Sequence, residues 1–179
     1  MRVSSFHGCT SHRKPKEYEA RAPGDIVEID TLHITLAPGK TCRQFSAVDV
    51  VSRFGFGDVR SAATASLARE FLEELIRTSP FKVKAVQTDG GSEFYAEFEQ
   101  ACKELGIKFF CLPPRSPKLN GGVERFNRTS REEFWECYDG DCKLDSMRPS
   151  LRKCLSEVYN RTRPHQALGM RFENACCGG

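Results

Sequence analysis

The 179-residue chain contains no apolar run near the roughly 18 residues that a membrane span needs. Its opening, MRVSSFHGCTSHRK, has none of the apolar core of a signal peptide. A glycine-rich phosphate loop, a nucleophile elbow and an HExxH pair are also missing, which removes three common catalytic schemes. There is no internal repeat and no low-complexity tract. These absences lead us to expect a cytosolic protein, in which the sequons Asn127-Arg-Thr and Asn160-Arg-Thr are chance matches. What is present suits a globular domain: 39% hydrophobic and 28% charged residues, and enough length for one real core.

The nine cysteines are odd in number and scattered, so they read as free thiols of a reducing compartment. His7-x-Cys9-x-x-His12 has metal-ligand spacing, but no second ligand cluster follows, and Cys137 and Cys142 also lack partners. The net charge is only +3, yet it is unevenly spread. Residues 1–23 carry five cations against two carboxylates, and residues 111–131 carry five against Glu124 alone. Two basic segments on a near-neutral body suit a polyanionic partner, with solvated surface charge as the plain alternative.

Hydrophobic periodicity predicts strands over residues 25–34, 42–51 and 53–61, an antiparallel meander. A helix follows over 63–78, with Leu67, Phe71 and Leu75 on one stripe and Pro80 as its stop. Residues 81–88 predict a fourth strand. Ser92 is placed to cap a helix whose face is Phe94, Phe98, Ala101, Cys102 and Leu105, closed by Gly106. A fifth strand over 107–112, a helix from Val123 and a last helix over 145–159 complete the order. Strands separated by helices after a meander imply an α/β fold with a five-stranded mixed sheet flanked by helices. Residues 1–22 read as a basic arm, 23–170 as the core and 171–179 as a tail.

Three carboxylates stand out. Asp30 lies within an apolar strand, where an ionised group is costly without compensation. Asp89 follows a strand and precedes Gly90-Gly91, and Glu124 starts a helix after the loop SPKLNGG. Strand ends and helix starts converge at one edge of such a sheet. Each residue also has a bland reading: a buried aspartate on backbone amides, an Asp-Gly turn, a glutamate on a helix dipole. Glu28 shares the strand face of Asp30 and reads as an ion-pair partner. Taken together, clustered carboxylates call for a cation, and oxygen-only ligands suit Mg²⁺ or Mn²⁺. Two such ions can drive displacement at a phosphodiester. At helical spacing Glu124, Arg128, Arg131 and Trp135 share a face, which would turn two arginines toward the same ligand.

VEIDT around Asp30, QTDGGSEF around Asp89 and SPKLNGGVERFNR around Glu124 resemble the catalytic core of DDE transposases and retroviral-type integrases, above all the bacterial insertion-sequence transposases. VDVVSRF and the closing YNRTRPHQALG fit the same family, and 34 residues separate Asp89 from Glu124, close to its usual spacing. The resemblance runs from about Ala22 to Met170. It implies a ribonuclease H-like fold and two divalent ions, Mg²⁺ or Mn²⁺, with Asp30 bridging both and Asp89 and Glu124 holding one each. It further implies cleavage and transfer of DNA strands, and Arg131 matches the family's basic residue on that helix. Arg115, Lys118, Asn120, Arg128 and Arg131 are the expected DNA contacts. Element ends and target DNA are the implied partners, with a homodimer as the implied assembly and a nucleoid-associated location in a bacterial cytoplasm.

Members usually carry a helix-turn-helix or zinc-bearing region ahead of this core, and here only the basic arm precedes it. An isolated catalytic core is therefore expected, without autonomous transposition. Two other readings stay open: a non-catalytic remnant that binds DNA or itself, and a ribonuclease H-like nuclease. His165 and Gln166 are read as structural.

Overall fold

The computed structural model describes residues 14, 15, 18–112 and 120–162. Strands β1 (Val27–Ala37), β2 (Lys40–Asp49) and β3 (Gly55–Arg60) form the antiparallel meander. Strands β4 (Ala85–Thr88) and β5 (Lys108–Cys111) join in parallel, giving the sheet order β3-β2-β1-β4-β5 with β1 at the centre. Helices α1 (Ala65–Thr78), α2 (Glu97–Glu104), α3 (Gly121–Glu133) and α4 (Leu144–Cys154) complete the predicted order. β1 runs three residues beyond its expected end, and only the last half of the expected fourth strand joins the ladder.

Strand alternation divides the core. Val27, Ile29, Phe45, Ala47 and Val86 face α1 and α2, where Phe45 and Phe56 each stack on Phe71 with ring centroids 5.5 and 5.4 Å apart. Ile34, Cys42 and Val48 face the opposite way, against Val123 and Phe126 of α3 and Met147 and Leu151 of α4. α1 begins where the Thr64 hydroxyl accepts from the Leu67 amide at 3.3 Å, and it ends at Thr78, before Pro80 as expected. On β5 the alternation sends Phe109 toward α2 and Phe110 outward, where Tyr18 of the N-terminal segment covers it edge-on at 4.9 Å. Tyr18 thus ties the described part of the basic arm to the sheet.

The motif VDVVSRF has a structural reason. Buried Asp49 accepts from the amides of Gly24, Val51 and Ser52 and from the Ser52 hydroxyl at 2.6–3.1 Å, fixing the turn that leads into β3.

Three expectations need correction. The helix predicted from Ser92 is broken: Ser92–Phe94 form a 3₁₀ turn, Ala96 takes the left-handed side of φ (+48°), and α2 starts only at Glu97. Phe94, Phe98, Ala101 and Cys102 are buried as predicted, but Leu105 caps the helix C-terminus and is exposed. The last helix is continuous only in part, because α4 gives way to π-helical turns over Leu155–Tyr159.

Candidate active site

β1 and β4 pair in parallel with Glu28 opposite Gln87. Carrying that register two residues on brings Asp30 beside Asp89, where β4 ends. α3 crosses the same face of β1 and begins at Gly121, two residues earlier than expected, leaving Glu124 in its first turn. Electrostatics report the resulting proximity. Burial pushes the Asp30 carboxyl up to about 6, although the Thr31 amide opposes this, and the carboxylates of Asp89, Glu124 and Glu93 push it further. Asp89 and Glu124 thus both act on Asp30, and Glu93 joins them as a further acid.

Among the described residues no three His, Cys, Asp or Glu side chains form a group that could hold a metal ion. The donor set itself, all carboxylate oxygens around a half-buried aspartate, fits a hard divalent ion. A buried oxygen beside Asp30 points the same way: Asn127 Oδ1 has no hydrogen-bond partner.

Two residues organise the site in ways the sequence reading did not assign. Asn127, one turn after Glu124, donates from Nδ2 to Asp30 Oδ2 at 2.8 Å. Glu28 was expected to form an ion pair. It is instead buried against the start of α3, where its Oε2 accepts from the Val123 amide at 2.8 Å and the Gly122 amide also donates to the carboxylate. Arg53 and Lys14 add positive charge near it, but burial dominates and raises its pKa. No local signal could have found this contact, because the partners lie 95 residues apart.

Arg125 and Arg128 are exposed and line an open groove with Gly121 and Glu124, and Arg131 is exposed a turn beyond. Among the described residues no carboxylate lies within ion-pair distance of these three arginines. The expected four-residue face does not continue to Trp135. α3 stops at Glu133, and the indole turns inward to donate to buried Gln44 at 2.6 Å. Asn120, expected on DNA, is buried at the helix start. Arg115, Lys118, His165 and Gln166 lie outside the described residues, as does the His7-x-Cys9-x-x-His12 spacing.

The sequence matches the Integrase core domain family over residues 20–117, and a second Integrase core domain description over residues 105–172. The chain belongs to the integrase core family. No curated protein matches it in sequence. The fold is that of integrase catalytic cores, as three solved structures show. One is a simian T-cell lymphotropic virus intasome in complex with PP2A regulatory subunit B56 gamma, 19% identical with a TM-score of 0.72. That match covers 94% of this chain and 58% of the other, so the integrase core described here spans less than two thirds of its relative's length. The HTLV-2 integrase catalytic core domain in complex with magnesium is 18% identical, with a TM-score of 0.67 and coverage of 88% and 99%. The catalytic core domain of BIV integrase is 22% identical, with a TM-score of 0.64 and coverage of 84% and 91%. In this integrase core no helix among the described residues is long and apolar enough to cross a membrane. Asn127 and Asn160, the asparagines of the two sequons, are both buried and hydrogen-bonded.

Proposed function

We propose that this chain is the catalytic core of a transposase or integrase that cleaves DNA strands and joins them to a target, with Asp30, Asp89 and Glu124 holding two Mg²⁺ or Mn²⁺ ions. The observation that supports the reading is the register that runs Asp30 alongside Asp89 at the end of β4, with Glu124 in the first turn of the helix that crosses that strand face. Burial pushes the Asp30 carboxyl up to about 6, and the neighbouring carboxylates add to the shift. Bound there, two divalent ions supply charge neutralisation for attack on a phosphodiester and departure of the leaving oxygen.

The remaining roles fall to the chain itself. Asn127 holds the Asp30 carboxylate in one orientation through its 2.8 Å hydrogen bond. Arg125, Arg128 and Arg131 offer exposed guanidinium groups beside Glu124, suited to backbone phosphates. Arg115 and Lys118, which precede α3 in the sequence, belong to the same DNA surface in this reading. Asn120 enters it as a residue at the loop-to-helix junction. Pairing of two copies belongs to the proposal too, with the DNA ends and target as partners.

The test is titration of Mn²⁺ by calorimetry, followed by Mn²⁺-dependent nicking of duplex DNA. Asp89→Asn is expected to weaken metal binding at least tenfold, of the order seen when a ligand or its support is lost, and to abolish nicking. Wild-type affinity and nicking in that variant would refute the assignment.

A further inference from the structure

We propose that Glu28 is a positioning residue for the catalytic carboxylates, setting where α3 begins and therefore where Glu124 lies relative to Asp30. The inference rests on the carboxylate assignment proposed above, and it concerns a residue outside that triad.

A helix start leaves its first amides without internal partners, and a side chain at the capping position normally supplies one. Here that position is Asn120, and its side chain makes no capping hydrogen bond. The acceptor comes from the central strand instead. Glu28 Oε2 accepts from the Val123 amide at 2.8 Å, and the Gly122 amide donates to the same carboxylate. The carboxylate also complements the positive end of the helix dipole. The contact is tight enough to dictate a residue type: a Cβ on Gly122 would sit 2.6 Å from Glu28 Oε2 and 3.2 Å from Arg53 Nη1. The second glycine of KLNGG is thus required by the close approach of Glu28 to the helix backbone.

A second tie makes the anchor directional. Asp30, two residues along the same strand face, accepts from Asn127 of α3 at 2.8 Å. Two residues of strand advance about 6.7 Å, and the four residues from Val123 to Asn127 advance about 6 Å. The strand pair 28/30 and the helix pair 123/127 therefore match in pitch. Two rungs fix both the position and the rotation of α3 on β1. Glu124 lies between them, its amide bonded to the Asn120 carbonyl at 3.1 Å. A cap that only stabilised the helix would need the first rung alone; a matched pair also determines where the intervening side chain points.

The experiment titrates Mn²⁺ into the full chain by calorimetry for wild type, Glu28→Gln, Glu28→Ala, Gly122→Ala and Asp30→Asn, with circular dichroism and Tm for each. Glu28→Ala and Gly122→Ala are expected to weaken Mn²⁺ binding about tenfold or more, as loss of a residue supporting a ligand does, while keeping wild-type circular dichroism. Glu28→Gln is expected to stay within about threefold, because its amide oxygen still accepts from Val123. If folded Glu28→Ala and Gly122→Ala bind Mn²⁺ like wild type while Asp30→Asn does not, the positioning role is overturned and the carboxylate assignment stands. If Glu28→Gln falls as far as Glu28→Ala, the charge matters and not the acceptor, which also overturns it. Wild-type affinity in Asp30→Asn would remove the carboxylate assignment itself. Should Glu28→Ala fail to fold, Gly122→Ala and Glu28→Gln decide.

Discussion

Asp30 keeps its charge at neutral pH against burial and three neighbouring carboxylates, and that cost has a thermodynamic signature. In the unfolded chain an aspartate titrates near 3.8, whereas in the fold this one titrates at about 6. Below the lower value both states are protonated and the group contributes nothing. Between the two values the folded state holds the extra proton, so stability falls as pH rises. Above about 6 the full penalty applies, about 2 kcal/mol because Asp30 is partly solvated. Asp30→Asn removes the charge and keeps an oxygen to accept from Asn127. In metal-free buffer at pH 7.5 the variant should therefore exceed wild type by about 2 kcal/mol, a gap that narrows between pH 6.5 and 4.5. Urea unfolding across that range checks it, and a gap independent of pH would dismiss the explanation. Added Mn²⁺ should stabilise only the wild type, since a ligand that binds the native state raises its stability. Under the proposed function, that penalty is one a bound cation would offset.

Elements close on one another through a few distant contacts, and the motif YNRTRPHQALG supplies one of them. Asn160 donates to the Gly55 carbonyl at 2.9 Å and accepts from the Gly55 amide at 2.8 Å. Its amide pairs with edge strand β3 as another strand would, so the end of the last helical segment seals that edge. Tyr159 packs edge-on against Phe126 beside it, and a Cβ on Gly55 would come within 2.6 Å of both rings. Asn160→Ala leaves both backbone groups of Gly55 unpaired. The expected loss is about 2 kcal/mol in urea unfolding, the scale of two buried polar groups losing partners, with faster hydrogen exchange at the Gly55 amide. Wild-type exchange there would show that the edge is closed by something else. This contact also marks what the sequence could reveal. The sheet, the element order and the apolar stripe of α1 were legible because periodicity writes them locally, and the flanking motifs are what single out the three carboxylates of the proposed site. The break at Ala96 was not, since an alanine at positive φ carries no mark and is held there by its surroundings. Nor were Asn127 as the partner of Asp30, Glu28 as the anchor of α3 or Trp135 as a ligand of Gln44. Each depends on a residue more than 90 positions away.

Across the whole molecule the cations divide into two populations. At the β3 edge, Asp58 is fully buried and pairs with Arg60, Arg148 and Arg152, while Glu74 binds the same three arginines and Glu70 binds Arg60. This network ties α1 to α4 around the edge strand, and its arginines are committed to carboxylates. On α3, Arg125, Arg128 and Arg131 stand exposed beside Glu124. The modest net charge therefore understates how positive the surface is where DNA would lie, and overstates it at the opposite edge. Substitutions should separate the two populations. Arg128→Ala and Arg131→Ala should each reduce the slope of log affinity for duplex DNA against log salt by about 0.9, one phosphate contact apiece, with Tm unchanged. Arg148→Ala should leave that slope intact and destabilise the fold by about 3 kcal/mol, because it strips a partner from a fully buried carboxylate. Binding isotherms at four salt concentrations, set beside urea unfolding, read both quantities. A slope that falls for Arg148→Ala and holds for Arg128→Ala would move the DNA surface to the far edge of the sheet, away from the clustered carboxylates.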